Sequence, residues 1–251
     1  MLVSLPIALS LAGLDRRAGA AWGAGTRSAI AWAARAGWRA VALDATAPDA
    51  RPRDLDGSAR RDLGAHLRRN ELAFAGCDLW IPPEHFTRPE TMDRAIAAAT
   101  GACELAGILQ TLVGAGDRVI TLTLPAEAAD ARAALRAAAE RCGVGVADCR
   151  WPAADGAGDM IGLDPAAILL AGADPVAAAA AHGAEARAAR LSDLSTAGRV
   201  APGGSGGRLD VEAYLAALDV AGYRGHAVVD LRGVADQERA AASALDRLAQ
   251  A

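Results

Sequence analysis

"GGRLDVEAYLAALDVAGYRGHAVVDL", residues 206–231, is the stretch on which the fold turns. Asp210 is a helix-starting residue ahead of "VEAYLAALDVAG", and "HAVVDLRG" (226–233) follows as a short apolar run ending in an acid. A helix that leads into a short buried strand is half of a parallel crossover, because parallel strands need a long connection between them.

The same unit recurs when the reading moves outward. "LPIALSL" (5–11), "RAVALDA" (39–45) and "LAFAGCDLWIP" (72–82) read as the first three strands, the third running long. "TRSAIAWAARAG" (26–37) and "SARRDLGAHLRRN" (58–70) read as the helices between them. Thr87-Arg-Pro-Glu90 has the form of a capping box with an early proline, and the helix it starts is expected to run to about Gly107. "RVITLTLP" (118–125), a helix over 126–143, "VGVADCRW" (144–151) and "DMIGLD" (159–164) come next. Helices from Pro165 and Pro175, the strand "EARAARLSD" (185–193), a glycine-rich loop (201–208) and a closing helix (237–250) complete the pattern.

Eight strands alternating with helices in about 250 residues predict an α/β chain folded as one (β/α)8 TIM barrel over residues 1–251. Only "RWPAADGAG" (150–158) separates the fifth and sixth strands, so the fifth helix is expected to be lacking or shortened. An exposed groove there is a candidate homodimer contact. An open doubly wound sheet is the alternative, but no G-x-G-x-x-G follows the first strand. A barrel leaves no edges, so strand 5–11 is expected to pair beside strand 226–232.

Composition narrows the chemistry. The net charge of −4 and the absence of a basic run argue against nucleic acid as a partner. All 26 basic residues are arginine, which excludes Schiff-base, pyridoxal-phosphate and P-loop chemistry, each of which needs a lysine. The four cysteines form no C-x-x-C pair and read as reduced thiols of a cytoplasmic protein. The apolar start lacks the positive segment of a secretion signal, and charges interrupt the alanine-rich runs, so neither a leader nor a membrane partner is expected.

"AGWRAVALD" (36–44), "GLDPAAILLAGADP" (162–175) and the stretch 206–231 resemble the second strand, the sixth strand with its helix, and the closing unit of the xylose-isomerase-like barrels. This is the sugar phosphate isomerase/epimerase family, which also includes endonuclease four. The resemblance implies an isomerase or epimerase that moves protons beside the carbonyl of a small sugar or polyol derivative. It also implies a divalent metal held by acids ending strands five, six and eight and by a histidine on strand seven. Carried onto this chain, those positions are Asp148 or Cys149, Asp164, Asp230 and Arg190. Asp148 and Asp230 stand where the proton-moving glutamates would be, and Asp164 with Asp230 where metal ligands would be.

Arginine stays protonated and offers no lone pair, so it cannot be a ligand. The expected cofactor is therefore none, or a weakly held Mg²⁺ or Mn²⁺. Arg190 is instead expected to enter the barrel mouth within reach of Asp164 or Asp230 and to clamp a substrate oxygen. Glu84 and His85, in "PPEHF" (82–86), form a candidate acid–base pair, and Asp193, Arg232 and Trp80 join Arg190 as candidate substrate contacts. Each has a plainer reading: Asp164 as a helix cap, Asp230 paired with Arg232 or Arg190, Asp193 as a turn residue, His85 as a loop-ordering group. The loop 201–208 reads as a connector or an anion-binding nest. A non-catalytic barrel that binds a small anion or a partner protein is the alternative function, and nucleic-acid cleavage a third.

Overall fold

The structure, a computed structural model, describes residues 5–15, 20–153 and 160–248. Eight parallel strands run β1 (Ile7–Ser10), β2 (Ala40–Asp44), β3 (Ala73–Asp78), β4 (Val119–Leu122), β5 (Gly145–Asp148), β6 (Gly162–Leu163), β7 (Ala188–Leu191) and, after an interposed hairpin, β10 (Ala227–Val229). Their order is β5-β4-β3-β2-β1-β10-β7-β6, and a bridge between Asp148 and Ile161 joins the two ends. The first and last strands lie side by side, Ile7 to Ala227 and Leu9 to Val229, so the sheet closes where expected.

The helices form the outer layer: α1 (Thr26–Arg35), α2 (Gly57–Arg69), α3 (Pro89–Val113), α4 (Ala129–Cys142), α5 (Pro165–Leu170), α6 (Pro175–His182), α7 (Val211–Ala221) and α8 (Gln237–Leu248). Asp56, Asp164, Asp174 and Asp210 cap their helices by accepting backbone N–H groups. The capping box expected at Thr87 is absent: Arg88 is the cap residue, and the Thr87 hydroxyl donates to the Glu84 carbonyl. Pro89 starts α3 by its fixed φ, and Gly114, in the left-handed region, ends it well past Gly107. By length and composition α3 could cross a membrane, contrary to the reading of the alanine-rich runs. Here it packs against α2 and α4 and buries Ala95, Ala99, Ala102 and Leu105.

Among the described residues no helix joins β5 to β6. Most of the expected loop 150–158 lies outside the described residues. At the opposite end of the barrel, the turns before β4, β5, β7 and β10 surround a hollow lined by Arg118, Arg136, Glu140 and Arg187 as well as by Ala139 and Met160.

Side chains alternate across each strand. Leu9, Val41, Phe74, Ile120, Val146, Leu191 and Val229 face the helices in the main core. The inner face carries small residues: Ala8, Ala40, Ala42, Ala75 and Val228 in one cluster, Val119, Ala147 and Ala188 in another. A barrel lined with alanine leaves room for long polar side chains in its interior.

Candidate functional site

Following the inner face to the carboxyl ends of the strands gives Ser10, Asp44, Asp78, Thr121, Asp164, Arg190, Ser192 and Asp230, all buried. Arg190, on β7, is 3% exposed and lies at the centre of this ring. Its Nη1 donates to Asp230 Oδ2 at 2.8 Å, and its Nη2 to Asp78 Oδ1 at 2.5 Å and to Thr121 Oγ1 at 2.9 Å. Ser10 and Thr121 hydroxyls also donate to Asp78. Burial works against the charge on Arg190, but the carboxylates of Asp78 and Asp230 outweigh it and hold the guanidinium well above its ordinary value.

Asp78 went unread in the sequence because β3 contains a bulge. Val41 pairs with Phe74 but Leu43 with Cys77, so β3 has one extra residue, and Gly76 takes it up at φ 99°. A Cβ on Gly76 would stand 2.6 Å from the Val119 carbonyl oxygen. The bulge turns Cys77 outward into the core and Asp78 inward beside Thr121.

Asp230 gathers three guanidiniums. Besides Arg190, Arg199 Nη2 donates to it at 2.9 Å, and Arg232 donates from Nε at 2.8 Å and from Nη2. Burial raises the Asp230 carboxyl to about 7, against the downward pull of Arg190 and Arg199. Arg199 comes from an antiparallel hairpin, β8 (Asp193–Ser195) and β9 (Gly198–Val200), in a segment to which the sequence pattern assigns no element. The hairpin folds Arg199 over the mouth, where Nη1 also lies 3.9 Å from Asp164. Arg232 lies over the Trp80 ring, 4.9 Å from its centroid, a cation–π contact. Only glycine at 13 permits this, since a Cβ there would meet Arg232 Cγ at 2.1 Å.

The remaining sequence candidates lie elsewhere. Asp148 faces outward: its oxygens accept from Leu124 and Arg150 N–H, and Arg132 of α4 pairs with it at 3.2 Å. Cys149 lies close enough to Arg190 and Asp164 for their charges to act on its thiol, so the inward register belongs to it. Burial pushes that thiol up to about 12. Asp193 accepts from the backbone N–H groups of Leu194, Gly203, Arg208 and Leu209. The glycine-rich loop thus wraps a carboxylate of its own chain, and a Cβ on Gly207 would stand 2.1 Å from that carboxylate. Glu84 is exposed on a short 3-10 turn (Pro83–Phe86), and His85 lines a cleft at the side of the mouth. Asp164 caps α5 and accepts from Ser192.

The geometry therefore brings together Arg190, Asp230, Arg232, Trp80 and, through Arg199, Asp164; it adds Asp78, Thr121 and Ser10. The donor set does not suit a divalent cation. Asp230 is occupied by guanidiniums, Asp164 by a cap and a hydroxyl, the strand-five position presents a protonated thiol, and a guanidinium stands at the strand-seven position. Among the described residues no cluster of three or more histidines, cysteines or acids could hold a metal ion.

In a parallel eight-stranded barrel the carboxyl ends of the strands are where sites are built, and this barrel collects its buried charges there. More particularly, the chain has the xylose-isomerase-like TIM-barrel fold. It superposes on a xylose isomerase domain protein from Planctomyces limnophilus with TM-score 0.73 at 20% identity, covering 98% of this chain and 96% of that one. D-psicose 3-epimerase from Clostridium cellulolyticum H10, solved with D-tagatose, matches with TM-score 0.69 at 16% identity over 98% and 99%. A xylose isomerase-like TIM barrel protein from Mycobacterium smegmatis, solved in complex with magnesium, matches with TM-score 0.66 at 14% identity over 98% and 96%. No protein-family model and no curated protein matches the sequence.

Proposed function

We propose that the barrel mouth binds a small sugar- or polyol-derived anion, and that guanidiniums rather than a divalent cation supply the positive charge there. One observation carries this reading: among the described residues, every carboxylate placed at the centre of the mouth is already held by arginine, hydroxyl or backbone N–H. Arg199 and Arg232 stay partly open, with side chains 28% and 13% exposed, and Trp80 is 53% exposed beside them. An aromatic face next to two guanidiniums suits a sugar ring with an anionic substituent. The epimerases among the structural neighbours support the sugar half of the reading.

Proton transfer beside a carbonyl is the second reading, favoured by Asp230. A carboxyl raised to about 7 is suited to acid–base work near neutral pH. Asp230 has to shed Arg232 or Arg199 before a substrate C–H reaches it.

One experiment tests both. Ketose phosphates and aldonates are titrated by calorimetry in the presence of EDTA, and the same compounds are incubated with the protein in D₂O and followed by proton NMR. Binding that weakens about tenfold or more in Arg232→Ala supports the anion site. Deuterium incorporation beside the carbonyl that disappears in Asp230→Asn establishes the proton-transfer reading. Binding without exchange leaves a binding barrel, and no binding by any compound overturns both.

A further inference from the structure

Beside the mouth, the loops after β2 and β3 and the outer side of α3 enclose a cleft of about 430 Å³, within the range of small-molecule sites. Its walls are mainly apolar: Leu79, Ile81, Pro52, Ala95 and Ala98 line it, and Trp80 stands between it and Arg232. The floor depends on Gly101, where a Cβ would already press on Pro52 at 3.2 Å.

The rim is cationic. Arg51, Arg53, Arg60 and Arg94 line the cleft, against a single acid, Glu104. Two of these guanidiniums are fixed by neutral partners. Arg51 donates from Nε to the Thr46 carbonyl at 2.9 Å, and Arg60 donates to the Leu55 and Pro52 carbonyls at 3.1 and 3.0 Å. Backbone carbonyls orient a guanidinium without neutralising it, so both keep their charge and spare N–H donors. Among the described residues, no carboxylate forms a salt bridge with Arg51, Arg60 or Arg94. Oriented, uncompensated guanidiniums around an apolar pocket match a ligand with an apolar body and an anionic end.

We infer that this side cleft is a second binding site, separate from the mouth, for a small organic anion with an apolar body, such as an aryl carboxylate. The apolar part lies along α3 and Trp80, and the carboxylate meets Arg51 and Arg94. Trp80 is shared, with the Arg232 contact on the mouth side and the cleft on the other.

The probe is 1-naphthoate, titrated by calorimetry beside the neutral 1-naphthalenemethanol and inorganic phosphate. Naphthoate is expected to bind about tenfold or more tightly than the alcohol, and phosphate not to compete. Arg94→Glu, at an exposed position with no pairing to lose, should weaken naphthoate about tenfold, and Ala98→Phe should block it by filling the cleft. Arg232→Ala should leave naphthoate binding within about twofold, which separates this cleft from the mouth. The proposal is overturned if naphthoate does not bind, if the alcohol binds equally well, or if Arg94→Glu and Ala98→Phe leave the affinity unchanged. Melting curves and circular dichroism of both variants establish that any loss is local. Should Arg94→Glu prove unfolded, Arg51→Gln takes its place with the same expected loss.

Discussion

Replacing Arg190 by methionine keeps much of the apolar volume in the barrel and removes the charge. Asp230 retains Arg199 and Arg232, so its compensation survives. Asp78 does not: its remaining donors are the neutral hydroxyls of Ser10 and Thr121, and its side chain is 4% exposed. Removing one partner of a buried ion pair costs about 3–5 kcal/mol, because the other charge is left uncompensated. A chain of this length loses roughly 2–4 °C of Tm per kcal/mol, so a fall of roughly 6–20 °C is expected. Asp78→Asn alone should cost less, about 1–2 kcal/mol, because Arg190 keeps Asp230. The double variant should then be about 2 kcal/mol more stable than the sum of the two single losses predicts. Urea unfolding followed by far-UV circular dichroism measures all four proteins. An Arg190→Met protein within about 1 kcal/mol of wild type, or strictly additive losses, would refute the argument that Arg190 is held in the barrel by charge.

Elemental analysis after dialysis should find less than about a tenth of an equivalent of Mn²⁺, Mg²⁺ or Zn²⁺, since the described residues of the mouth offer no vacant set of oxygen ligands. Near-stoichiometric metal that is lost in Asp164→Ala would overturn the guanidinium reading. Thiol labelling should divide the cysteines sharply. Burial pushes the Cys103 and Cys149 thiols up to about 12 and the Cys77 thiol higher, while Cys142 is only half-buried. At neutral pH labelling should therefore be confined to Cys142, read by mass spectrometry, until denaturant exposes the rest. Labelling of Cys149 at a rate matching Cys142 would show that the inner face at β5 is open.

The fold was legible because its signals are local. Capping aspartates at 164, 174 and 210 and apolar runs between them mark βα units, and eight such units allow few architectures. Arg190 and Asp230 were legible as strand-end residues for the same reason. What stayed hidden depends on pairing between strands. Asp78 sits inside a run that reads as one long strand, and only its register against β2 and β4 ends the strand there and turns the acid inward. Arg199 belongs to strands of three residues each, too short for any alternation to be read, and its importance comes from the reach of the hairpin back to Asp230. At β5 the choice between Asp148 and Cys149 was a matter of one position in the alternation, and the barrel, not the chain, decides it. The glycine-rich loop read as a connector or as a nest, and its N–H groups turn to Asp193 of the same chain.

The bulge at Gly76 has a consequence for heredity. Which side chain β3 offers to Arg190 is decided by whether the strand takes up its extra residue as a bulge, not only by which residues it contains. Deletion of the Gly76 codon would remove the extra residue and leave Cys77 opposite Leu43 and Asp78 opposite Asp44, facing as before. A residue at 76 that cannot hold φ 99° and straightens the strand at unchanged length would instead present Cys77 to the guanidinium and send Asp78 toward the helices. The eight-stranded scaffold would survive such an event far better than the mouth. A barrel of this kind can therefore change the side chain it presents at its centre through one substitution at a glycine that never touches the site.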